Sequence, residues 1–231
     1  MSSPSLSIIL PVLNESAGLA ASLLPLQALR AEGVKVIVVD GGSSDDTLAV
    51  AAPLVDLVLQ SAAGRGRQMN LGAEHATGEV LLFLHADTRL PGDALRHIEK
   101  ALMNGADWGR FDVSIAGSLP GLRMVGTMMN WRSRLTGIAT GDQGIFVRRN
   151  VFWKAGGFPV IPLMEDIVLS SALRRHARPA CLRQRVTTSG RRWEKHGLWK
   201  TIFTMWLLRL RFHFGADPRR LAREYGYAAA E

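Results

Sequence analysis

Polar and acidic side chains follow two apolar runs of the sequence at the points where those runs end. The first run closes with Pro11-Val-Leu-Asn-Glu15 and the second with Val38-Val-Asp-Gly-Gly-Ser-Ser-Asp-Asp-Thr47. Ligands of open parallel sheets bind beyond the carboxyl ends of the strands, so we expect Asn14, Glu15 and Asp40 to face one shared crevice. Carboxylates there accept hydrogen bonds from ribose hydroxyls or from a base N–H. The alternative is that these side chains only form turns and helix caps.

A third apolar run ends in His85-Ala-Asp-Thr88. An acid at the end of a buried strand is well placed to hold a divalent cation, which bridges diphosphate oxygens and neutralises a leaving group. Asp87 is therefore predicted to hold Mg²⁺ or Mn²⁺. His85 is either a second metal ligand or an ordinary hydrogen-bonding residue at the strand end, and both interpretations stay open.

A basic segment that contains glycines, Gly64-Arg-Gly-Arg-Gln-Met-Asn-Leu-Gly72, precedes the third run. Arg65 and Arg67 stand where a loop opens a helix, and arginines in that position clamp phosphate oxygens or contact a base. A solvated basic loop explains the same residues equally well.

Alternating strands and helices must position these side chains. The pattern of β-branched apolar runs predicts buried parallel strands at Ser7–Pro11, Lys35–Asp40 and Glu79–His85. Helical spacing and capping residues predict helices over Ala17–Ala31, Thr47–Val58 and Arg67–Ala76. This alternation is typical of an α/β fold with a doubly wound, mostly parallel sheet.

After Pro91, helices are predicted over Gly92–Asn104, Pro120–Thr136 and Asp166–Arg175. Strands are predicted over Trp108–Ile115 and Gly144–Arg149. No Pro/Ser linker, repeat or low-complexity segment divides the chain. We therefore expect one domain over residues 1–196, followed by a basic helical appendage over residues 197–231.

The charge of the chain is unevenly distributed. Lys and Arg total 28 against 20 Asp and Glu, for a formal net charge of +8, and the excess falls between Arg174 and Arg223. A basic segment of this kind favours an anionic partner. Nucleic acid is not the expected partner, because the basic residues are not interleaved with aromatic residues along the chain and no zinc, RNP-like or helix-turn-helix motif occurs.

The number of cysteines and the length of the apolar runs indicate the cellular compartment. The single cysteine, Cys181, excludes an intrachain disulfide and is typical of a reducing compartment. The residues after Met1 lack the basic leader of a secretory signal, and no apolar run reaches the ~18–20 residues that a membrane-spanning helix needs. We therefore expect a cytoplasmic protein.

The segment Trp199–Phe214 combines aromatic and basic residues in a predicted amphipathic helix. A broad apolar stripe is formed by Trp199, Ile202, Phe203, Trp206 and Leu210. Such a helix lies in the interface of an anionic membrane, on its inner face for a cytoplasmic protein. It equally well packs on the domain or on a second subunit of a homo-oligomer. Membrane contact would suit a lipid-linked acceptor.

In their order and spacing, these segments resemble the family 2 glycosyltransferases, nucleotide-sugar enzymes of the GT-A fold, over roughly residues 7–193. Pro11–Glu15 is similar to the family's opening motif, Val38–Thr47 to its nucleotide-binding strand end, and His85-Ala86-Asp87 to its metal-binding Asp-X-Asp. The segments that resemble its acceptor-side and catalytic motifs are Gly141–Arg149, Gly156–Pro159 and Met164–Asp166.

The resemblance implies an inverting, metal-assisted transfer of a hexosyl-type sugar from a nucleoside diphosphate sugar to a hydroxyl or carboxyl of an acceptor. It implies that Asp166 is the base that takes the acceptor's proton. Glu165 beside it is expected to position the acceptor or to tune Asp166. The residues expected to bind the donor are Pro11, Asn14, Glu15, Asp40, Gly41, Ser43, Arg65, Arg67, Ala86 and Asp87.

Two segments depart from the family pattern. His85 replaces the first acid of the Asp-X-Asp motif, and Arg191-Arg192-Trp193 matches only in part the Gln-X-X-Arg-Trp segment of processive polysaccharide synthases. Processive polymer export is therefore not expected. The two arginines are expected to reach the diphosphate, and Trp193 to stack on a sugar. Asp142 and Gln143 complete the predicted acceptor and diphosphate contacts.

Two other functions compete with glycosyl transfer. A sugar nucleotidyltransferase shares the Rossmann-like opening and the metal chemistry, but such enzymes carry a glycine-rich first loop, whereas Pro11–Glu15 contains no glycine. A protein that only binds a nucleotide sugar has no need of both Asp87 and Asp166. UDP, GDP and dTDP sugars all remain candidate donors.

Overall fold

A computed structural model describes residues 4–227 of the 231-residue chain. The predicted domain and appendage also include residues 1–3 and 228–231, which lie outside the described residues, and the expectation about a leader after Met1 rests in part on the first of these segments.

The described residues form an eight-stranded sheet. The strands are β1 Leu6–Val12, β2 Lys35–Asp40, β3 Leu57–Gln60, β4 Val80–Phe83, β5 Thr88–Arg89, β6 Trp108–Ala116, β7 Ile145–Arg148 and β8 Ala180–Ser189. They lie in the order β3-β2-β1-β4-β7-β6-β8-β5. The predicted α/β sheet is confirmed, and the sheet is mixed. Strands β3, β2, β1 and β4 are parallel to one another, and β6 is parallel to β8. Strand β7 is antiparallel to both of its neighbours, and β5 is antiparallel to β8.

Helices connect the strands and cover the sheet. They are α1 Ser16–Leu23, α2 Gln27–Ala31, α3 Thr47–Ala51, α4 Arg65–His75, α5 Ala94–Met103, α6 Leu122–Thr136, α7 Arg149–Lys154, α8 Glu165–His176, α9 Arg191–His196, α10 Leu198–His213 and α11 Pro218–Glu224.

The central strands are buried on both faces because alternate side chains point to opposite sides of the sheet. Ile8 of β1 packs in a cluster with Leu19 of α1, whereas its neighbour Ile9 packs with Met69 of α4 and Leu169 of α8. Both faces are therefore apolar, which explains the continuous apolar runs in the sequence. The same packing leaves the polar residues at the carboxyl ends of β1, β2 and β4 along one edge of the sheet.

Prolines shorten two of the predicted helices. Pro25 lies in a 3-10 turn that separates α1 from α2 within the predicted helix Ala17–Ala31. The predicted helix Thr47–Val58 is wrong beyond Ala51: a 3-10 turn follows that contains Pro53, and Val58 lies in strand β3. Proline cannot donate the backbone hydrogen bond of a helix interior, so the chain leaves the helix and pairs with β2 instead.

The C-terminal helices pack on the sheet-and-helix body. Leu208 of α10 and Leu221 of α11 are buried with Leu163 and Met164, which immediately precede α8. At its other end, α10 contacts α6 through Leu198. Within residues 4–227, no helix combines the length and the apolar character needed to cross a bilayer.

Candidate functional site

A cavity of about 570 Å³ lies beyond the carboxyl ends of β1 and β4, and we call it the main cavity. It brings together predicted site residues from widely separated parts of the chain. Those that line it are Pro11, Glu15, Arg65, His85, Ala86, Asp87, Asp142, Asp166, Arg191, Arg192 and Trp193. The predicted site residues that do not line it are Asn14, Asp40, Gly41, Ser43, Arg67, Gln143 and Glu165.

Asp40 is completely buried and holds the loop that follows β2. Its carboxylate accepts hydrogen bonds from the backbone N–H groups of Gly42, at 3.0 Å, and Ser43, at 2.9 Å. The Ser43 hydroxyl accepts a hydrogen bond in turn from the backbone N–H of Asn14, at 2.8 Å, and Asn14 has a left-handed φ of 52°. These contacts join the loops after β1 and β2. Asp40, Ser43 and Asn14 thus shape the edge of the main cavity from behind.

Gln68 of α4 completes this edge, although sequence reasoning passed over it. Its buried side-chain amide donates to the carbonyls of Val12, at 2.8 Å, and Val39, at 2.7 Å, which lie near the ends of β1 and β2. The amide packs tightly beside Gly41, where a side chain would crowd it. Its burial depends on the packing of α4 against β1 and β2, and no local pattern in Gly64–Gly72 marks it. Arg67 of the same segment is exposed to solvent.

Arg191 connects two of the predicted donor-binding acids. Its guanidinium Nη2 donates to Oε2 of Glu15 at 3.1 Å and lies 3.8 Å from Oδ2 of Asp87. The hydrogen bond to Glu15, together with the charges of both acids, raises the pKa of Arg191 above its ordinary value. Its side chain is still 62% exposed, so it is free to exchange these acids for an anionic ligand.

His85, which follows β4, contacts Asp142 at the wall of the main cavity. Its Nδ1–H donates to Oδ1 of Asp142 at 3.3 Å, and the edge of its ring leaves no room for a side chain at Gly141. Burial lowers the pKa of His85, but the hydrogen bond and charge of Asp142 outweigh burial and raise it above its ordinary value. Burial raises the pKa of Asp142, whereas the hydrogen bond from His85 lowers it, and the net direction is downward. The contact therefore favours the charged form of each group.

Asp166 lies in the first turn of α8 and faces the main cavity. Its Oδ2 accepts a hydrogen bond from the backbone N–H of Gly141 at 2.9 Å, and its Oδ1 accepts one from Ile167 at 2.7 Å. A carboxylate at this position is also stabilised by the helix dipole. Its orientation is thus fixed, while each oxygen keeps a second lone pair for a proton.

Glu165 points the other way and is almost completely buried, with 2% of its surface exposed. Its Oε1 lies 2.9 Å from Nε of Arg65. Burial raises the pKa of Glu165, the charge of Arg65 lowers it, and the net direction is upward. Gln143 is likewise buried, and its side chain caps the 3-10 turn Gly141–Gln143 by accepting from the backbone of Thr140. Both residues support the cavity rather than line it.

Aromatic residues near the C-terminus close one side of the cavity, and no local pattern in the sequence pointed to them. Arg192 lies over the ring of Tyr225, 3.5 Å from its centroid, and donates to the Tyr225 carbonyl at 2.7 Å. Arg65 lies 5.3 Å from the centroid of Tyr227. Burial raises the pKa of Tyr225 to about 12, so it stays neutral at physiological pH. Trp193 lines the cavity and also packs against Val125 of α6.

The chain is similar to known glycosyltransferases in sequence. It is 32% identical over 138 residues to an uncharacterized glycosyltransferase of Mycobacterium tuberculosis strain H37Rv, an alignment that covers 58% of this chain and 62% of the relative. It is 39% identical over 97 residues to a PGL/p-HBAD biosynthesis glycosyltransferase of Mycobacterium bovis strain BCG, covering 39% and 38% of the two chains. The chain thus spans less than two thirds of the length of either relative.

Solved structures share the fold. S. aureus TarS residues 1–349, in complex with UDP-GlcNAc, superpose with a TM-score of 0.65 at 19% identity, over 80% of this chain and 58% of that one. The mannosyltransferase PcManGT from Pyrobaculum calidifontis, in complex with GDP-Man and Mn²⁺, gives a TM-score of 0.63 at 17% identity, over 81% and 57%. These neighbours confirm the predicted GT-A fold.

The family model described as glycosyl transferase family 2 matches residues 7–155. That range is more than half of the chain and contains the ends of β1, β2 and β4 with Glu15, Asp40 and Asp87. The predicted resemblance is therefore confirmed: the chain belongs to glycosyl transferase family 2.

Proposed function

We propose that this protein transfers a sugar, of hexosyl type, from a nucleoside diphosphate sugar to an acceptor with inversion at the anomeric carbon. The main support for the proposal is that Asp87, the predicted metal ligand, and Asp166, the predicted base, line one cavity together with Arg191. Family membership supports it. Two relatives by fold are solved with UDP-GlcNAc and with GDP-Man.

The proposed reaction is a single displacement. The acceptor oxygen forms a bond to the anomeric carbon while the bond from that carbon to the diphosphate oxygen breaks, and the electron pair leaves with the nucleoside diphosphate. Asp166 takes the acceptor's proton. It is suited to this role because its orientation is fixed and its side chain lines the cavity. Arg191 is proposed to leave Glu15 and Asp87 and to bind the departing diphosphate.

The residues at the cavity fit a divalent cation with few protein ligands. Asp87 offers one carboxylate, 33% exposed, and the described residues contain no cluster of three or more acidic, His or Cys side chains that would form a complete cage. Mg²⁺ and Mn²⁺ suit such an oxygen ligand, because they retain water and phosphate oxygens as their remaining ligands. Bound there, the cation would neutralise charge on the diphosphate. PcManGT is solved with Mn²⁺.

We assign His85 to Asp142 rather than to the metal. Its Nδ1 lies 3.3 Å from Oδ1 of Asp142, and the Nε2 edge of its ring packs against Gly141, so both ring nitrogens face protein groups. Its contact with Asp142 instead fixes the turn whose Gly141 N–H holds Asp166. His85 thereby acts as a positioning residue in the proposed mechanism.

The donor nucleotide is proposed to lie along the ends of β1 and β2. Pro11 and Glu15 face it from the cavity wall, while Asp40, Gly41 and Ser43 hold the loops that shape this wall. Trp193 and Arg192 face the opposite side, where they are proposed to meet the sugar and the acceptor.

Two stripes of exposed apolar side chains, one on α6 and one on α10, support peripheral attachment to the cytoplasmic face of a membrane. On α6 the stripe consists of Met124, Met128, Trp131 and Leu135, and on α10 it consists of Trp199, Phe203, Trp206 and Leu210. The two helices contact each other where Leu198 and Ile202 pack with Leu122 and Val125. Tryptophans on a basic amphipathic surface suit the interface of an anionic membrane. A lipid-linked acceptor fits this arrangement, and burial of the same stripes in a homo-oligomer is the alternative.

The proposed donor site is tested by thermal unfolding with UDP-, GDP- and dTDP-sugars, with and without Mn²⁺. A ligand at a hundred-fold excess over its Kd stabilises the native state by about 2.7 kcal/mol, a rise of roughly 5–10 °C in Tm at this chain length. We expect one nucleotide with Mn²⁺ to give such a rise, and Asp87→Asn to remove it. Asp107→Asn is the matched control, because Asp107 does not line the main cavity. The absence of a shift with every nucleotide would contradict the proposal.

A further inference from the structure

A second cavity of about 660 Å³ adjoins the main cavity, and Ile167 and Arg209 line both. Its lining carries Arg132 of α6, Arg175 of α8, and Arg209 and His213 of α10. None of the described residues that line it is an aspartate or a glutamate. The second cavity therefore forms a strongly cationic compartment beside the proposed base, Asp166.

Two of its arginines are partly buried and carry nitrogen donors without partners. Nε and Nη2 of Arg132 and Nε of Arg209 are shielded from solvent, and none of them has a hydrogen-bond partner among residues 4–227. Burial, and then the nearby charge of Arg209, lower the pKa of Arg132 to about 10. Buried donors without acceptors destabilise a fold, and two guanidinium groups side by side repel each other. The arrangement is therefore costly in the absence of a ligand.

The neighbouring carboxylates relieve this cost only in part. The charge of Asp166 favours the charged form of Arg132, and the charge of Arg209 lowers the pKa of Asp142, but the shielded nitrogens of the two arginines make no hydrogen bond to either acid. Asp166 accepts from the backbone of Gly141 and Ile167, and Asp142 accepts from His85. Two arginines thus line a cavity next to the proposed base, and none of the described residues that line this cavity with them is an acid.

We propose that Arg132 and Arg209 bind a phosphate group of the acceptor, and so hold a hydroxyl of the same molecule at Asp166. The proposal rests on the proposed function and names its acceptor class, a phosphorylated hydroxyl compound. Guanidinium groups match phosphate with paired, charge-assisted hydrogen bonds, and a dianion would satisfy the unpaired donors of both arginines. In the transfer the hydroxyl oxygen bonds to the anomeric carbon as the bond from that carbon to the donor's diphosphate oxygen breaks, and the electron pair leaves with the nucleoside diphosphate. The hydroxyl proton passes to Asp166, and the phosphate on the arginines is unchanged.

Inorganic phosphate is the probe for the anion site itself. Thermal unfolding in phosphate is compared with unfolding in chloride of the same ionic strength, and the Kd is measured by calorimetry. We expect phosphate to raise the Tm of the wild type, and Arg132→Gln and Arg209→Gln each to weaken phosphate binding by ten-fold or more. In chloride, Arg132→Gln should unfold at the wild-type temperature or above it, because it removes an unpaired charge, and this shows that the variant is folded.

Two further variants separate the proposed site from other cationic surfaces. Arg123→Gln is the matched control, because Arg123 is exposed on the same helix, α6, and lines neither cavity. Arg191→Gln removes the arginine proposed to bind the donor diphosphate. Arg123→Gln should keep the phosphate affinity of the wild type, and Arg191→Gln should keep the part of phosphate binding that depends on Arg132. Equal binding by all variants, or a loss only in Arg191→Gln, would overturn the proposal.

The source of the phosphate is distinguished with glycerol 3-phosphate and with vesicles. Binding of glycerol 3-phosphate that depends on Arg132 supports a water-soluble acceptor. Binding that depends on Arg132 only with phosphatidylcholine vesicles containing phosphatidic acid supports a lipid acceptor. If Arg132→Gln weakens neither the binding of glycerol 3-phosphate nor the binding of the vesicles, the acceptor assignment is overturned. Nucleotide-dependent stabilisation is measured separately in the same variants, so failure of the proposed donor site is distinguishable from failure of the anion site.

Discussion

Arg65 and Glu165 form an ion pair, with Nε of the arginine 2.9 Å from Oε1 of the glutamate, that joins the first turn of α4 to the first turn of α8. The neighbouring acid Asp166 faces the main cavity instead. Adjacent residues in the first turn of a helix point in different directions, so this pair of acids divides into one structural and one cavity-facing group. The ion pair also fixes the side of the helix on which Asp166 emerges.

Replacing Glu165 with alanine should destabilise the protein through the loss of this pair. Removing one partner of a fully buried ion pair costs roughly 3–5 kcal/mol, and we expect about 2 kcal/mol here because Arg65 is partly exposed. Urea unfolding measures the change. Glu74→Ala, an exposed acid on α4, is the control. Equal stability of the two variants would show that the contact contributes nothing.

Replacing Asp166 with asparagine should mainly lower the rate of transfer. Loss of a general base reduces kcat by about 10²–10⁴-fold. Nucleotide affinity should stay at the wild-type value, since Asp166 is proposed to act on the acceptor. Steady-state kinetics and nucleotide titration give the two readouts, with Asp107→Asn as the control. A wild-type kcat in Asp166→Asn would exclude it as the base.

Two glycines in helices should respond to alanine in opposite directions. A Cβ at Gly72 of α4 would lie 2.5 Å from Cγ2 of Ile9, whereas nothing lies within 4 Å of one at Gly18 of α1. Gly72→Ala should cost about 1–3 kcal/mol through overpacking. Gly18→Ala should stabilise by about 0.5–1 kcal/mol, because alanine favours the helix. Changes of the same sign in urea unfolding would contradict this packing of α4 on β1.

The apolar stripes on α6 and α10 should bind anionic vesicles. Cosedimentation with phosphatidylcholine–phosphatidylglycerol vesicles is expected for the wild type, and Trp131→Ser with Trp206→Ser should weaken it by at least ten-fold, since each buried aromatic contributes at least about 1.5 kcal/mol. Met103→Ser, which removes an exposed apolar side chain of α5, is the control. Vesicle binding that survives the double substitution would place the contact elsewhere, and a concentration-dependent dimer would favour the oligomer.

The first half of the fold was predictable because its signals are local. Val36, Val38 and their neighbours form a short, unbroken run rich in β-branched residues, which is typical of a strand buried on both faces. Strand β8 was missed because Arg183, Gln184 and Arg185 interrupt its apolar pattern. Its assignment depends on parallel pairing with β6, whose register shifts between Phe111 and Asp112, and such pairing has no local signature.

The candidate site divides in the same way. Glu15 and Asp87 follow recognisable strand ends, so their presence at one edge of the sheet could be inferred. The partner of Glu165, the tyrosines at 225 and 227, and the unpaired donors of Arg132 depend on which distant elements meet. Tertiary packing decides those contacts, and hydrophobic periodicity carries no information about them.

The contact between Arg191 and Glu15 spans 176 positions of the chain. Contacts of such long sequence separation close large loops, whose entropic cost must be met before the contact forms, and they slow folding. The strands β1, β2 and β4 need far shorter loops. Assembly of the main cavity is therefore expected to be among the last events of folding, so that the ability to bind a nucleotide would report the completed chain topology rather than the formation of the sheet.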